Sequence, residues 1–505
     1  MMRAPRPVSL RSLRSLRPGC ASPFCPRAAA VALCLAFTSA CTLGPDYKRP
    51  EVDTPAAWQT DPGWRLAAPS HAPIALDWWR MFGDPLLDTL EARALAQNQT
   101  LAAASAHYAQ ATATLAAVSS QRVPELDLDA SVARAKVSKN RPQLSYSTPN
   151  QSTVQNQIAI GPSITYDIDL FGRIRREVES ASASAEQARD DLANARLVLS
   201  SDLAMAYYAL RERDAEIDVL DRSVQLQEKA LDYVKAKHEL GAVSGLDLLQ
   251  QQSQLDSTRV QATLLRQQRA QYEHAIAALT GTPAPGFSIA PQLVPMTVPA
   301  IATGLPSELL ERRPDVAAAE RAMAAANAQI GVAKAAFFPD LTLSPSIGWE
   351  STGFANLLSA PSLMWTVGSA LKQTLFDGGQ RKANLAFANE GYRAAVANYR
   401  QAVLSAFQQV QDGVTGLAVL ARAASQSQAA VDDAKRLLSL ANDRYSGGLV
   451  AYLDVISAQQ SLLTSERQDA QVRGQRISLA VSLVKALGGG WQAPAPGETN
   501  AVAQR

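Results

Sequence analysis

The stretch Ile158-Ala159-Ile160-Gly161-Pro162-Ser163-Ile164-Thr165-Tyr166-Asp167-Ile168-Asp169-Leu170-Phe171-Gly172 decides the fold, because the hydrophobic period changes at its end. Even positions carry Ile158, Ile160, Pro162, Ile164, Tyr166, Ile168 and Leu170, whereas odd positions carry Ala159, Gly161, Ser163, Thr165, Asp167 and Asp169. Successive side chains of a strand point to opposite faces, so the segment reads as a strand with one apolar and one polar face. Past Gly172 the alternation stops, and no proline or further glycine occurs up to Glu239. Ile174, Val178, Ala181, Ala185, Ala188, Leu192, Ala195 and Leu199 step by four and three. Leu203, Ala206, Leu210, Ile217, Leu220, Val224, Leu231 and Val234 resume after one extra step of four. This is a heptad with a stutter, which locally relaxes a left-handed supercoil. As one helix it would be ~100 Å long at 1.5 Å per residue, a rod rather than part of a compact ball.

The same order recurs downstream. Val123-Pro124-Glu125-Leu126-Asp127-Leu128 aligns with Phe338-Pro339-Asp340-Leu341-Thr342-Leu343, and Leu170-Phe171 with Leu375-Phe376. Gly241 and Leu246-Asp247 align with Gly448 and Leu453-Asp454. The spacing predicts an internal two-fold repeat, each half reading helix, strand, loop, strand, very long helix, sharp turn, long helix. The first half's other strand alternates Leu126, Leu128 and Val132 with Asp127, Asp129 and Ser131. In the second half Leu341, Leu343, Ile347 and Trp349 alternate with Thr342, Ser344 and Gly348, and Leu363, Trp365, Val367, Leu371 and Leu375 keep the apolar parity with Lys372 opposite. The second long helix is expected from about Arg381 to Tyr445, with Gly391, Gly413 and Gly416 making it less regular. Alternation alone fits a soluble half-buried sheet or a membrane barrel with a wet lumen, and favours the soluble sheet. Pro162 and Pro345 stand where a ladder should be continuous.

The N-terminal residues stand apart. Arg3, Arg6, Arg11, Arg14, Arg17 and Arg27 come without an acid, an apolar run spans Ala28 to Phe37, and Thr38, Ser39 and Ala40 precede Cys41. A basic region, a short apolar core and small residues predict a signal peptide over 1–40. The core is too short to span a bilayer. A cysteine just after the cleavage site resembles a bacterial lipoprotein signal, although Thr38 stands where that pattern prefers Leu. The resemblance implies a covalent lipid on Cys41, with no other cofactor. Removing 1–40 takes away six arginines and leaves Cys41 as the sole cysteine, so no intrachain disulfide can form. The mature chain is net acidic, which argues against nucleic-acid binding.

Further boundaries follow from composition: an anchored segment 41–87, a first repeat 88–281, a Pro-rich linker 282–306, a second repeat 307–487 and a tail 488–505. Residues Arg134 to Gln157 hold a surface loop between paired strands. Four strands cannot close a barrel, and an open edge in lipid leaves costly unpaired backbone groups. If the strands lie in a membrane, several chains must combine, and three would supply twelve strands.

At this point the residues resemble a known family. Trp78-Trp79-Arg80-Met81-Phe82-Gly83-Asp84-Pro85-Leu86 is similar to the opening signature of outer-membrane factors of the TolC-like class. Leu305-Pro306-Ser307-Glu308-Leu309-Leu310-Glu311-Arg312-Arg313-Pro314-Asp315 resembles the opening of their second half, and Lys485-Ala486-Leu487-Gly488-Gly489-Gly490-Trp491 their C-terminal motif. Cys41-Thr42-Leu43-Gly44-Pro45-Asp46-Tyr47 resembles the mature start of the lipoprotein branch serving resistance–nodulation–division (RND) efflux pumps. The resemblance covers residues 41–491. It implies a mixed α and β fold: a homotrimer with an outer-membrane β-barrel, four strands per chain, continued by a long periplasmic α-helical barrel. It also implies a periplasmic adaptor (membrane fusion) protein and an inner-membrane RND pump as partners. On this ground the membrane barrel displaces the soluble sheet. Two alternatives share features: a type I protein secretion channel, and a structural coiled-coil or adhesin protein. The first has a different pump, and the second is disfavoured by the alternating strands.

Nothing in the chain makes a case for an enzyme. His71, His107, His238 and His274 are scattered without metal-ligand spacing, and no nucleotide-type phosphate motif occurs. The sites implied by the resemblance are the two helical turns. Gly241, Ala242, Val243 and Ser244, with Gly448, Leu449, Val450 and Ala451, would be adaptor docking tips. Asp454 and Tyr445 would form a periplasmic gate, three copies of Asp454 making a carboxylate ring that favours cations. Val450 and Ser457 stand where some relatives carry an arginine and a second acid, which implies a simpler closing network. The plainer reading also stands: glycines end one helix and Asp247 and Asp454 cap the next, Asp247 pairing with Gln250 in a capping box.

Overall fold

The structure, a computed structural model, describes residues 42–50, 54, 55, 58, 74–140, 153–301, 309 and 311–493. The expected signal peptide, Cys41, residues 141–152 of the loop expected over 134–157, the motif residues 305–308 and 310, and residues 494–505 lie outside them; the ends of that expected loop, 134–137 and 153–157, are strand instead, because the ladder continues past the apolar alternation. A short 3-10 turn, Trp78–Phe82, leads into α1 (Pro85–Gln97) and α2 (Gln99–Ser119), then β1 (Glu125–Val137) and β2 (Thr153–Ile168). The rod predicted after Gly172 is a single helix, α3 (Arg173–Glu239), followed by α4 (Gly245–Leu279). The second half runs α5 (Pro314–Ala335), β3 (Asp340–Leu343), β4 (Ser346–Ser351), β5 (Leu363–Thr366), β6 (Ser369–Lys372), α6 (Gln380–Ser446) and α7 (Tyr452–Ala486). The long helices have 67 residues each and their return helices 35 each, so the two hairpins match in length.

The six strand segments form four physical strands. One register joins β2 to both β3 and β4, from Ile158 opposite Ser351 to Ile168 opposite Leu341. Another joins β3 to β6 and β4 to β5, from Asp340 opposite Lys372 to Trp349 opposite Leu363. β1 pairs antiparallel with β2 along its whole length. The prolines do not end the sheet. Pro162 lacks an N–H, and the β2–β4 ladder is silent between Ile160–Trp349 and Ser163–Ser346. Pro345 interrupts its strand, yet its carbonyl still accepts from Ile164 N at 2.9 Å. Gly161 and Gly348 face each other there, and a Cβ on Gly161 would lie 2.5 Å from Gly348 Cα.

The predicted stripe on α3 is inside. Ile174, Val178, Ala185, Leu199, Leu203, Leu210, Leu220, Leu231 and Val234 are buried. The glycines of α6 do not break it. Gly413 and Gly416 make room for α7, a Cβ on them coming within 2.9 Å of Leu483 Cδ1 and 2.5 Å of Leu479 Cδ2. α3 packs against α2, α4, α5 and α7, which also buries polar groups. Arg211 and Asp214 pair at 2.9 Å with almost no exposure, and Arg269 reaches Asp214 at 2.6 Å. Arg211 and Arg269 also donate to the carbonyls of Ala290 and Ile289, strapping the Pro-rich linker onto the hairpin.

Residues 42–49 form a second strap. Leu43 N donates to Phe171 O at 3.3 Å, at the junction of strand and helix. Arg176 holds Leu43 O at 3.2 Å and Asp46 at 2.8 Å, Asn327 donates to Pro45 O at 2.8 Å, and Arg49 reaches Tyr399 at 3.1 Å. Thr42 packs on Gly172, where a Cβ would come within 2.9 Å of its methyl.

Between α1 and α3, Glu91 is wholly buried, and burial pushes its carboxyl up to about 8, with Asp88 adding to the push. The folded state thus holds a proton that the unfolded chain releases near ~4.3. This carboxyl therefore costs stability as pH rises from the unfolded to the folded value. Glu91→Gln should be more stable than wild type by up to ~3 kcal/mol near neutral pH. The advantage should shrink as pH falls toward about 5, and denaturant unfolding of both proteins across that range checks it.

Candidate functional site

The two turns that the sequence singles out lie side by side at the far ends of the hairpins, and their backbones are built alike. Gly241 N donates to His238 O and Ala242 N to Lys237 O, at 2.9 and 2.8 Å. Gly448 N donates to Tyr445 O and Leu449 N to Arg444 O, at 3.0 and 2.9 Å. Each is a Schellman ending, with the glycine at φ 73. No atom lies within 4 Å of where a Cβ would sit on either, so conformation rather than space demands glycine.

The helix starts differ from the capping expected. Ser244, not Asp247, is the N-cap of α4, and Asp247 at the third position returns to Ser244 N at 3.2 Å, a reciprocal box that leaves Gln250 no part. In α7 the N-cap is Ala451, with nearly the same backbone angles and no side chain to offer. Asp454 therefore caps nothing. It is exposed and makes no side-chain hydrogen bond or ion pair among the described residues.

Tyr445 does not touch Asp454 within the protomer. It packs on Tyr452, ring centroids 5.1 Å apart, and lies 5.1 Å from Lys237 Nζ. That same ammonium is 4.7 Å from the Tyr233 ring, so one cation from the first hairpin sits against an aromatic of each. Burial raises the Tyr445 hydroxyl, against the pull of Lys237, and pushes Tyr452 up to about 12. Tyr452 donates to Gln251 Oε1 at 2.9 Å, and Gln251 to Gln227 O at 3.0 Å, a buried thread through three helices. Val234, Ala441, Val455 and Ala458 close a small apolar core around it, with Val243 at its rim.

Beyond that core the tips are apolar and exposed. Leu240, Leu246 and Leu249 on the first hairpin and Leu449 and Leu453 on the second all stand more than half in solvent. The sequence places Leu240, Leu246, Leu449, Leu453, Lys237 and Tyr452 within the two turn segments but assigns a docking role to Leu449 alone, and it misses Leu249, Tyr233 and Gln251. Leucines beside Gly and Asp in a tight turn were the available signal. Above the tips a groove of about 410 Å³ opens between the hairpins, lined by Arg222, Leu226, Leu438, Leu462 and Glu466 among others. Among the described residues no cluster of His, Cys, Asp or Glu could hold a metal ion, and no helix is long and apolar enough to cross a membrane.

Known proteins share this architecture. The sequence profile of the outer membrane efflux protein family matches residues 90–282 and 305–489. The toluene efflux pump outer membrane protein TtgF of Pseudomonas putida is 31% identical over 467 residues, 91% of this chain and 96% of its own. The pyoverdine export outer membrane protein OpmQ of Pseudomonas aeruginosa is 31% identical over 471 residues, 92% and 97% of the two chains. Among solved structures, the outer-membrane channel OprN superposes with a TM-score of 0.82 at 28% identity, covering 90% of this chain and 100% of its own. The open-state MtrE outer membrane channel of Neisseria gonorrhoeae gives 0.78 at 26%, covering 90% and 99%.

The unequal caps carry a prediction. Ser244→Ala should destabilise the first tip by about 1 kcal/mol, and Ala451→Ser should stabilise the second by a similar amount by completing a box with Asp454. Hydrogen exchange of the amides at the start of α4 and α7 should show these opposite changes.

Proposed function

The chain belongs to the outer membrane efflux protein family and acts in the outer membrane as an efflux channel component. From that premise we propose that three copies form a passive duct, taking substrates from a periplasmic adaptor and an inner-membrane RND pump to the exterior. One observation carries the trimer. Among the described residues the four-strand sheet has two free edges, β1 pairing only with β2, and β5 and β6 only with β4 and β3. The helical layer is open in the same way: α4 leaves Leu249, Val260 and Leu264 exposed on one flank, and α6 leaves Phe387, Leu404 and Leu440 on the other. Copies joined edge to edge satisfy both layers at once, giving a barrel of twelve strands above a tunnel of helices. Matching hairpin lengths and twin Schellman turns support a two-fold repeat of one ancestral unit.

Selectivity then lies with the pump, and the duct contributes docking and gating. The exposed leucines and the groove between hairpins give the adaptor an apolar landing site, with Gly241 to Ser244 and Gly448 to Ala451 as its tips. Asp454, free of local partners, is available to line the axis of a trimer, while Tyr445 holds the hairpins together through Lys237. Lipid on Cys41 fits the strap at residues 42–49: Thr42, its neighbour, lies at the junction of strands and helices, the level of the periplasmic bilayer surface.

Three outcomes test this reading. Cys41→Ser should abolish palmitate labelling and leave heat-labile trimers intact; persistent labelling would remove the anchor. Gly241→Pro or Gly448→Pro should weaken adaptor cross-linking without preventing membrane insertion. In single-channel recordings, Asp454→Asn should weaken cation preference and block by multivalent cations. Unchanged block would deny Asp454 a place at the constriction.

A further inference from the structure

The apolar face of the sheet ends abruptly at the end remote from the helices. By register, that face of β1 reads Leu126, Leu128, Ala130 and Val132, followed by Arg134 and Lys136 opposite Asn156 and Val154. On β2 the apolar positions run from Ile168 to Ile158, and ten residues of a strand tilted by ~40° span ~25 Å, the height of an outer-membrane barrel's apolar band. Trp349 and Trp365 stand on the same face near its outer end. Arg134 therefore lies one residue pair beyond the band, and Lys136 two.

Charge is segregated across the sheet. No Asp or Glu occurs between Ala130 and Tyr166, while that stretch holds Arg134, Lys136, Lys139 and Arg141. The acids Asp127, Asp129 and Asp167 belong to the opposite, polar parity, where Ser163 and Thr342 donate to Asp129 and Asp167 at 2.6 and 2.7 Å. Glu350 shares that face and accepts from Gln157 at 3.1 Å. Arg134 and Lys136 are exposed, and neither makes an ion pair among the described residues. An outward cation at this level meets lipid headgroups rather than the lumen.

We propose that Arg134 and Lys136 form a docking rim for the phosphate groups of the outer leaflet's glycolipid. This rests on the trimeric barrel reading above. Arg134 supplies a planar fork that matches a phosphate with two hydrogen bonds, and Lys136 supplies a second, mobile charge. Threefold repetition places such a pair at three points of the circumference, against a headgroup layer in which phosphates are the dominant anions.

The test uses the full chain and an Arg134→Gln/Lys136→Gln variant, each purified in mild detergent and reconstituted in nanodiscs with diphosphorylated lipid A. Parallel discs contain the enzymatically dephosphorylated glycolipid or phosphatidylglycerol. Native mass spectrometry should find roughly twenty-five-fold more phosphorylated glycolipid retained on wild-type trimers than on the variant, at about a fivefold effect for each of the two surface cations. Retention of the dephosphorylated form should not differ. Equal retention on heat-labile trimers of both proteins would overturn the rim and leave the barrel standing. Equal preference for phosphatidylglycerol would overturn the glycolipid assignment. Failure of both proteins to form trimers and insert would overturn the barrel reading, and the rim with it.

Discussion

Backbone pairing at the edges of a four-strand sheet is the constraint on which the rest of this molecule depends. Among the described residues β1 is paired on one side only, as are β5 and β6 at the opposite edge. In water such edges invite aggregation, and in lipid each unpaired amide costs several kcal/mol. Among the described residues no further strand of the chain pairs with either edge. In the proposed trimer closure comes from other copies, and the helices below meet the same need. They form an arc with two open flanks instead of a closed bundle, so the two layers demand the same number of neighbours.

A helix of 67 residues raises a second problem, because a uniform apolar stripe of that length would slide in register. α3 avoids this with charged groups at fixed heights. Arg211, Asp214 and Arg269 lock the linker at one level. Glu216, wholly buried, collects Arg467 at 3.2 Å and Gln471 at 3.1 Å from α7 at another. Buried ion pairs add little net stability, but misregistered ones leave charges uncompensated, which makes them effective registers. Near the tip the uncharged Tyr452–Gln251–Gln227 thread takes over, where a charge would have to share space with the half-buried Lys237.

Much of this was legible in the sequence because it rests on local periodicity. The change of period at Gly172, the stripe from Ile174 to Val234 and the paired glycine turns each follow from side-chain direction alone. The apolar and polar faces of the strands were equally plain, since one register runs through both interruptions. What escaped depends on distance in the chain. Lys237 sits against Tyr445 because two hairpins meet, and no spacing within either encodes it. Ser244 as cap was missed because Asp247, a good cap by type, lies three residues on and plays the reciprocal part. At Ala451 the sequence misled in the opposite sense: Asp454 resembles a capping residue, yet its helix begins at a residue with nothing to return.

The strap at residues 42–49 has a consequence for the order of events in biogenesis. Its partners are Phe171 and Arg176 from the first half and Glu320, Asn327 and Tyr399 from the second. The docking site of residues 42–49 is therefore complete only when Tyr399, more than three hundred residues downstream of Arg49, has followed and the helices have come together. The strap's final docking fastens both halves of the chain at the level where strands become helices, making the start of the polypeptide the last seam to close.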